Sequence, residues 1–301
     1  MDPGRDSSTV LGRSFGIFLF RLIGGEIWRL YRIVVALAVG RIFNSQATFE
    51  TVSRILDLDL DFFVHGAAHW RVDGNRLDPD EFPPWDTDQA ISFLRERCCL
   101  DAALPGFVVE NHGELFALWK EAIQNGRLKP PFHVTHVDAH ADLGLGDSGY
   151  VHLMTDVLYR EPKDRLEPRE GQEGLDDGNF LAFCIACHWI SDLAYVYNDE
   201  GGNDLLSYHM EGFDPMASHI QLKAMRKQEI NKLVGLLARS EDIQVDRFEP
   251  LVPFRHGCWR EFQADRPFDF ICLTRSPPFT PVEADVIFDE IRRRFIDEAL
   301  G

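Results

Sequence analysis

At 301 residues, 45 % hydrophobic and 27 % charged, the chain can bury a sizeable core and is too apolar to be disordered. A formal net charge of −18 argues against nucleic acid as the main ligand; it suits metal ions and Arg- or Lys-bearing substrates, although solubility alone would account for it. Six cysteines show no disulfide-framework spacing, so a reducing cytoplasm is the expected compartment.

In chain order, residues 11–43 come first: rich in Leu, Ile, Val and Phe, yet interrupted by Arg13, Arg21, Glu26, Arg29, Arg32 and Arg41. The longest uncharged run, Ile33 to Gly40, is eight residues, against the roughly 20 that span a bilayer. Basic residues run through this stretch rather than preceding it, unlike a signal peptide. It reads as an extension over residues 1–48, outside a catalytic domain at 49–301, with weak contact to a membrane surface as one role.

Ser53 to Phe63, SRILDLDLDFF, alternates Leu56, Leu58 and Leu60 with Asp57, Asp59 and Asp61. Period two predicts a strand with aliphatics on one face and carboxylates on the other. A loop is expected over 64–87 and helical character over 88–99. Asn111 to Asn125 is predicted as a helix, with a stripe of Leu115, Leu118, Trp119, Ala122 and Ile123, a capping box from Asn111 and Glu114, and a stop at Asn125-Gly126. Phe132 to Asp138 reads as a strand, 160–177 as an exposed loop, and Phe180 to Asp192 and Met216 to Arg239 as helices. Phe268 to Leu273 is a late buried strand. Thr280-Pro281-Val282-Glu283 carries three signals that open a helix: cap, N1 proline and N3 glutamate. Strands alternating with helices predict an α/β fold with a mainly parallel sheet.

The chemistry concentrates in three segments. In Thr135-His136-Val137-Asp138-Ala139-His140-Ala141-Asp142-Leu143, the groups Asp138, His140 and Asp142 recur every second residue. A strand continued through them would aim all three one way, at the edge where open α/β sheets bind ligands. Oxygen and imidazole donors so arranged suit a divalent metal, and without one the carboxylates would repel. Asp57, Asp59 and Asp61 repeat the pattern, and an exposed, solvated strand face is the plain alternative. The third segment, Glu110-Asn111-His112-Gly113-Glu114, offers His112, a residue type that is more often structural at a helix start.

HVDAHADL resembles the metal motif of the ureohydrolase superfamily, which holds arginase, agmatinase and deacetylase-like enzymes. DLDLDFF resembles its second metal motif and ENHGE the segment bearing a further histidine ligand. With LTRSPPFTP added, the chain looks closest to peptide arginases, which convert peptidyl arginine to ornithine and urea. The resemblance, over residues 50 to 290, implies an arginase-like three-layer α/β/α sandwich binding two Mn2+ per chain. It implies that Asp138 and one aspartate of DLDLD bridge the ions. His112 and Asp142 would complete one set of ligands; His140 and the other aspartate would complete the second. Asp59 and Asp61 are assigned to the metals and Asp57 to orienting a ligand. Hydroxide formed from a shared water would attack the guanidinium carbon, with Asp142 passing on a proton.

The chain departs from the familiar pattern in places. DLDLDFF precedes HVDAHADL, the reverse of arginases. Cys272 stands where the guanidinium-binding acid is expected. His152 and His188 are candidates for the proton shuttle, and Asn179 for a substrate contact or a helix cap. Acidic loops at 73–81 and 161–177 would suit an arginine-containing peptide. The alternatives are hydrolysis of free arginine or agmatine, amide deacylation on the same fold, and haem attachment at Cys184-Ile185-Ala186-Cys187-His188, which would need export.

Overall fold

The computed structural model describes residues 53–69, 76–144, 148–199, 207–234 and 242–299. The extension 1–48, its stretch 11–43 and residues 73–75 of the first acidic loop lie outside the described residues. In chain order the elements are β1 (Arg54–Asp59), α1 (Thr87–Glu96), β2 (Leu104–Val109), α2 (Glu114–Gln124), β3 (Phe132–Val137), α3 (Gly149–Thr155), α4 (Phe180–Ala186) and β4 (Ile190–Tyr197). There follow β5 (His219–Ile220), β6 (Lys223–Ala224), α5 (Lys227–Val234), β7 (Arg247–Phe248), β8 (Val252–Cys258), β9 (Phe270–Thr274), α6 (Asp285–Phe295) and β10 (Ile296–Asp297).

Eight strands form one sheet in the order β10-β2-β9-β1-β3-β4-β8-β5; β6 and β7 pair separately. Every neighbour in the large sheet is parallel except β5, which runs antiparallel on β8. Central parallel strands are covered on both faces, so their sequences must be apolar on both. Ile55, Val134, Phe270 and Cys272 face one core with α2 and α4. Leu56, Leu58, Val137, Ile271 and Leu273 face the other, with α1 and α6. The result is a three-layer α/β/α sandwich. Among the described residues no helix is long and apolar enough to cross a membrane.

Several local expectations change. β1 stops at Asp59, and Leu60–Phe63 turn into a 3-10 helix that Asp59 caps by accepting the Asp61 N–H at 3.1 Å. α2 begins at Glu114; the Glu114 carboxylate takes the Asn111 N–H as expected, but the Asn111 amide donates to that same carboxylate instead of capping. Asn125 and Gly126, φ +79°, close α2 as read. The apolar run Phe180 to Asp192 is a short helix, then a left-handed residue at His188 (φ +58°), then the start of β4. Of Met216 to Arg239, the described part is two short strands and only then helix α5, with 235–240 outside the described residues. Thr280 does not cap: its hydroxyl donates to the carbonyls of Arg275 and Ser276, and α6 starts at Asp285 after a 3-10 turn. The 160–177 loop is not wholly exposed, because Arg165 within it is fully buried.

Candidate metal centre

β1 and β3 are adjacent and parallel, with Asp57 beside His136. Their carboxyl ends therefore deliver DLDLD and HVDAHAD to one edge of the sheet. β2 ends at Val109 on the far side of β9, and the chain then turns back through His112. Asp57, Asp59, Asp61, His112, His136 and Asp138 are all at most 4 % exposed, and Asp142 is 7 % exposed. The solvated-face reading of DLDLD is thereby excluded.

Convergence arises differently from the pleat argument. β3 ends at Val137, so Asp138, His140 and Asp142 lie on a turn beyond the strand, with the His140 N–H donating to Asp138 Oδ1 at 2.7 Å and Asp142 at φ +50°. Asp61 reaches the cluster from its 3-10 turn.

Two donor sets share Asp138. In the first, His112 Nδ1 lies 3.0 Å from Asp59 Oδ2, 3.2 Å from Asp138 Oδ2 and 2.9 Å from Asp142 Oδ2. In the second, His140 Nδ1 lies 2.9 Å from Asp61 Oδ2 and 3.6 Å from Asp138 Oδ1. Both Asp59–His112–Asp138 and Asp61–Asp138–His140 bring one donor atom from each residue within 4.8 Å of the others. Ligands about 2.1 Å from one ion and at right angles stand about 3 Å apart, the spacing around His112 Nδ1. In the first set, His112 Nδ1 and Asp138 Oδ2 are buried without a hydrogen-bond partner. Buried polar groups are seldom left so. These residues fit a divalent cation.

The surrounding groups set tautomer and charge. His112 Nε2–H donates to Asp57 Oδ1 at 3.2 Å, so Nδ1 is the nitrogen that a cation would take on displacing its proton; burial opposes that proton, but Asp57 and Asp142 outweigh it and raise the His112 pKa, and Phe180 stacks on the ring at 4.6 Å. His136, within the same motif, is a further member of the cluster that the spacing of the acids does not single out. Its Nδ1 lies 2.9 Å from Asp57 Oδ2 and its Nε2 lies 3.1 Å from the His140 carbonyl. Both partners accept, so both ring nitrogens carry protons. Burial opposes that charge, but Asp138 and Asp57 outweigh it and raise the His136 pKa to about 9. His136 is thus a buried cation beneath the acids. The signal in the sequence is its place two residues before Asp138, within the motif itself.

The acids split. Burial and the neighbouring Asp138 push Asp142 up to about 7, and burial with Asp138 and Asp59 holds Asp61 well above the carboxylate range. For Asp138 itself burial is outweighed by His136, His112 and His140, and its pKa is lowered. The metal-free cluster therefore retains protons at neutral pH that a cation must displace. Apparent Mn2+ affinity is expected to rise from pH 6 to pH 8, about tenfold per unit for each proton displaced. Calorimetry in two buffers of different ionisation enthalpy checks this; heats that do not depend on the buffer would contradict it.

Other nominated residues are engaged elsewhere. His152, on α3, accepts the Arg169 N–H at 3.2 Å and faces Asp156. His188 precedes β4, at the amino edge of the sheet, about 20 Å along the strand direction from Asp138. There its Nε2 lies 2.7 Å from Glu249, so the structure does not bring it to the acids. Asn179 accepts the Asp176 N–H and donates to the Gly174 carbonyl, both at 2.9 Å, closing a loop. Cys272 is buried beside Asp57 and accepts the Trp119 indole N–H at 3.3 Å. Cys184 and Cys187 are buried in the larger core, where a haem has no room to attach.

Two further residues, in stretches the sequence marks but not individually singled out there, lie against the cluster. Asp177 accepts the Gly113 N–H at 3.0 Å, beside His112, and Ser276 donates to Asp59 Oδ2. No protein-family model matches the chain, and neither a curated protein nor a solved structure matches it.

Proposed function

We propose that this chain is a metal-dependent hydrolase of the ureohydrolase type, cleaving the guanidinium group of a peptidyl arginine to leave ornithine and urea. The observation that carries the reading is Asp138, whose two oxygens face two separate donor sets, one through His112 Nδ1 and one through His140 Nδ1. Asp59, His112, Asp138 and Asp142 would hold one ion; Asp61, Asp138 and His140 the other. Bound there, a pair of divalent ions would supply charge compensation for the acids and an activated water nucleophile.

The protein's own groups do the rest. Asp57 fixes the His112 tautomer. His136 holds a positive charge next to Asp138. Phe180 keeps water from the His112 ring. Asp142 would accept the proton from the attacking water and pass it on. His140, its side chain 17 % exposed, marks the open side of the cluster, with Phe279 and His69 rings 5.5 and 5.6 Å from its own. The motifs HVDAHADL, DLDLDFF and ENHGE support the guanidinium chemistry, and the net charge of −18 suits a cationic peptide. A cytoplasmic setting would suit the spacing of the six cysteines.

Manganese-loaded protein incubated with arginine-bearing peptides is expected to release urea, with a mass loss of one CH2N2 unit per arginine. Free arginine, agmatine and an acyl-lysine peptide belong in the same assay. Turnover of the acyl-lysine alone would replace this reading with deacylation. Metal uptake with no turnover of any of them would leave a binding protein.

A further inference from the structure

LTRSPPFTP does more than follow β9. Ser276, just past its end, is 6 % exposed and sits at φ +44°, ψ +61°, a left-handed conformation that non-glycine residues adopt reluctantly. Four interactions hold it there. The Arg275 N–H donates to the Val109 carbonyl at 3.1 Å and the Ser276 N–H to the Glu110 carbonyl at 3.0 Å. The Ser276 carbonyl accepts the Thr280 hydroxyl at 3.0 Å and the Phe279 N–H at 2.9 Å. The Ser276 hydroxyl then donates to Asp59 Oδ2, the oxygen that lies 3.0 Å from His112 Nδ1.

From this we infer that Ser276 is a positioning residue for the metal centre, clamping two ligand-bearing segments at once; the inference rests on the metal reading above. Its backbone grips Glu110, two residues before His112. Its side chain grips Asp59 at the end of β1. β9 lies between β1 and β2, so a turn at its tip reaches both neighbours. Asp59 Oδ1 is already occupied by the Asp61 N–H. The hydroxyl therefore completes the orientation of the carboxylate, leaving one lone pair of Oδ2 for a cation. Strained backbone held by several independent contacts collects at functional sites, and here the strain puts a hydroxyl where no relaxed extension of β9 would.

Ser276→Ala and Ser276→Gly in the full chain separate this role from a merely structural one. Both remove the hydroxyl, but glycine also relieves the left-handed backbone. Both variants are expected to bind Mn2+ about 10- to 100-fold more weakly, the usual effect of losing a group that orients a metal ligand. Metal-free Ser276→Gly is expected to unfold at or above the wild-type temperature. Wild-type Mn2+ affinity in Ser276→Gly would overturn the inference even if Ser276→Ala fails to fold. A wild-type chain that takes up no Mn2+ would instead sink the metal reading, and this inference with it.

Discussion

Asp138→Asn is expected to abolish tight manganese uptake and to reduce hydrolysis to background. The substitution keeps volume and one oxygen but removes the charge common to both donor sets. Asp138 is 1 % exposed and lies within 3.2 to 3.6 Å of His112, His136 and His140, so no water layer screens the loss. Folding should suffer far less than binding. Asp138 is among the causes that raise Asp61 and Asp142, so neutralising it relieves repulsion while it also deprives three histidines of a counter-charge. These effects oppose one another, and the metal-free variant should unfold close to the wild type.

The measurement is thermal unfolding with and without Mn2+. At a hundred times the dissociation constant, one bound ion stabilises a fold by about 2.7 kcal/mol, which for a domain of this size raises the midpoint by roughly 5–10 °C. Wild type should show that rise and Asp138→Asn should not. A wild-type midpoint indifferent to millimolar Mn2+, or a variant that shifts as the wild type does, would end the binuclear reading.

The sheet's centre was legible because parallel strands need mainly apolar residues on both faces, and RILDLD, FHVTHV and FICLT largely meet that need, with buried Arg54, His133 and Thr135 as polar exceptions outside the site. The acids stood out for the same reason: two carboxylates in a strand of a buried sheet, and a third on the turn just past it, have no structural use. Other boundaries had no local mark. The strand ends at Asp59 without glycine or proline, because the Asp59 side chain accepts the Asp61 N–H and starts a turn. The run Phe180 to Asp192 is apolar throughout, and its break falls on His188, a left-handed residue that composition does not announce. β2 and β8 each hold a proline and a glycine inside the strand, which argue against one locally, and the first residues of β4 continue the apolar run that reads as a helix. His136 became part of the centre only when the β1–β3 register set it beside Asp57, a relation between residues 79 apart. Ser276 was hidden more deeply, since its role depends on a backbone conformation that the residue type disfavours.

At the opposite edge of the sheet, Arg165→Met is expected to cost about 3–5 kcal/mol of stability, the usual loss when one partner of a buried ion pair is removed. Arg165 is fully buried and forks onto Glu249, at 3.0 and 2.8 Å, while also donating to the carbonyls of Arg160, Ala186 and Leu158. Methionine fills the space of the stem but leaves the Glu249 carboxylate with His188 and Arg247 alone. Burial raises the Glu249 pKa, yet Arg165 and His188 more than offset it and the net shift is downward. A carboxylate with a depressed folded pKa stabilises the fold above its unfolded value, and that stability fades as the pH falls through the folded one. Arg165→Met should therefore narrow its gap from wild type in acid. Adding Glu249→Leu should recover part of the loss at neutral pH, because an apolar pair of similar volume avoids the stranded charge. His188→Gln, removing only a half-exposed partner, should cost far less and should leave Mn2+ affinity unchanged, since the ring lies at the edge away from the acids. Thermal unfolding of the four proteins at pH 7 and at about pH 3, inside the window below the unfolded value of 4.5, decides it. An Arg165→Met midpoint within a degree or two of wild type would show that the buried fork is not what holds this edge together, and a His188→Gln protein with weakened metal binding would return His188 to the site.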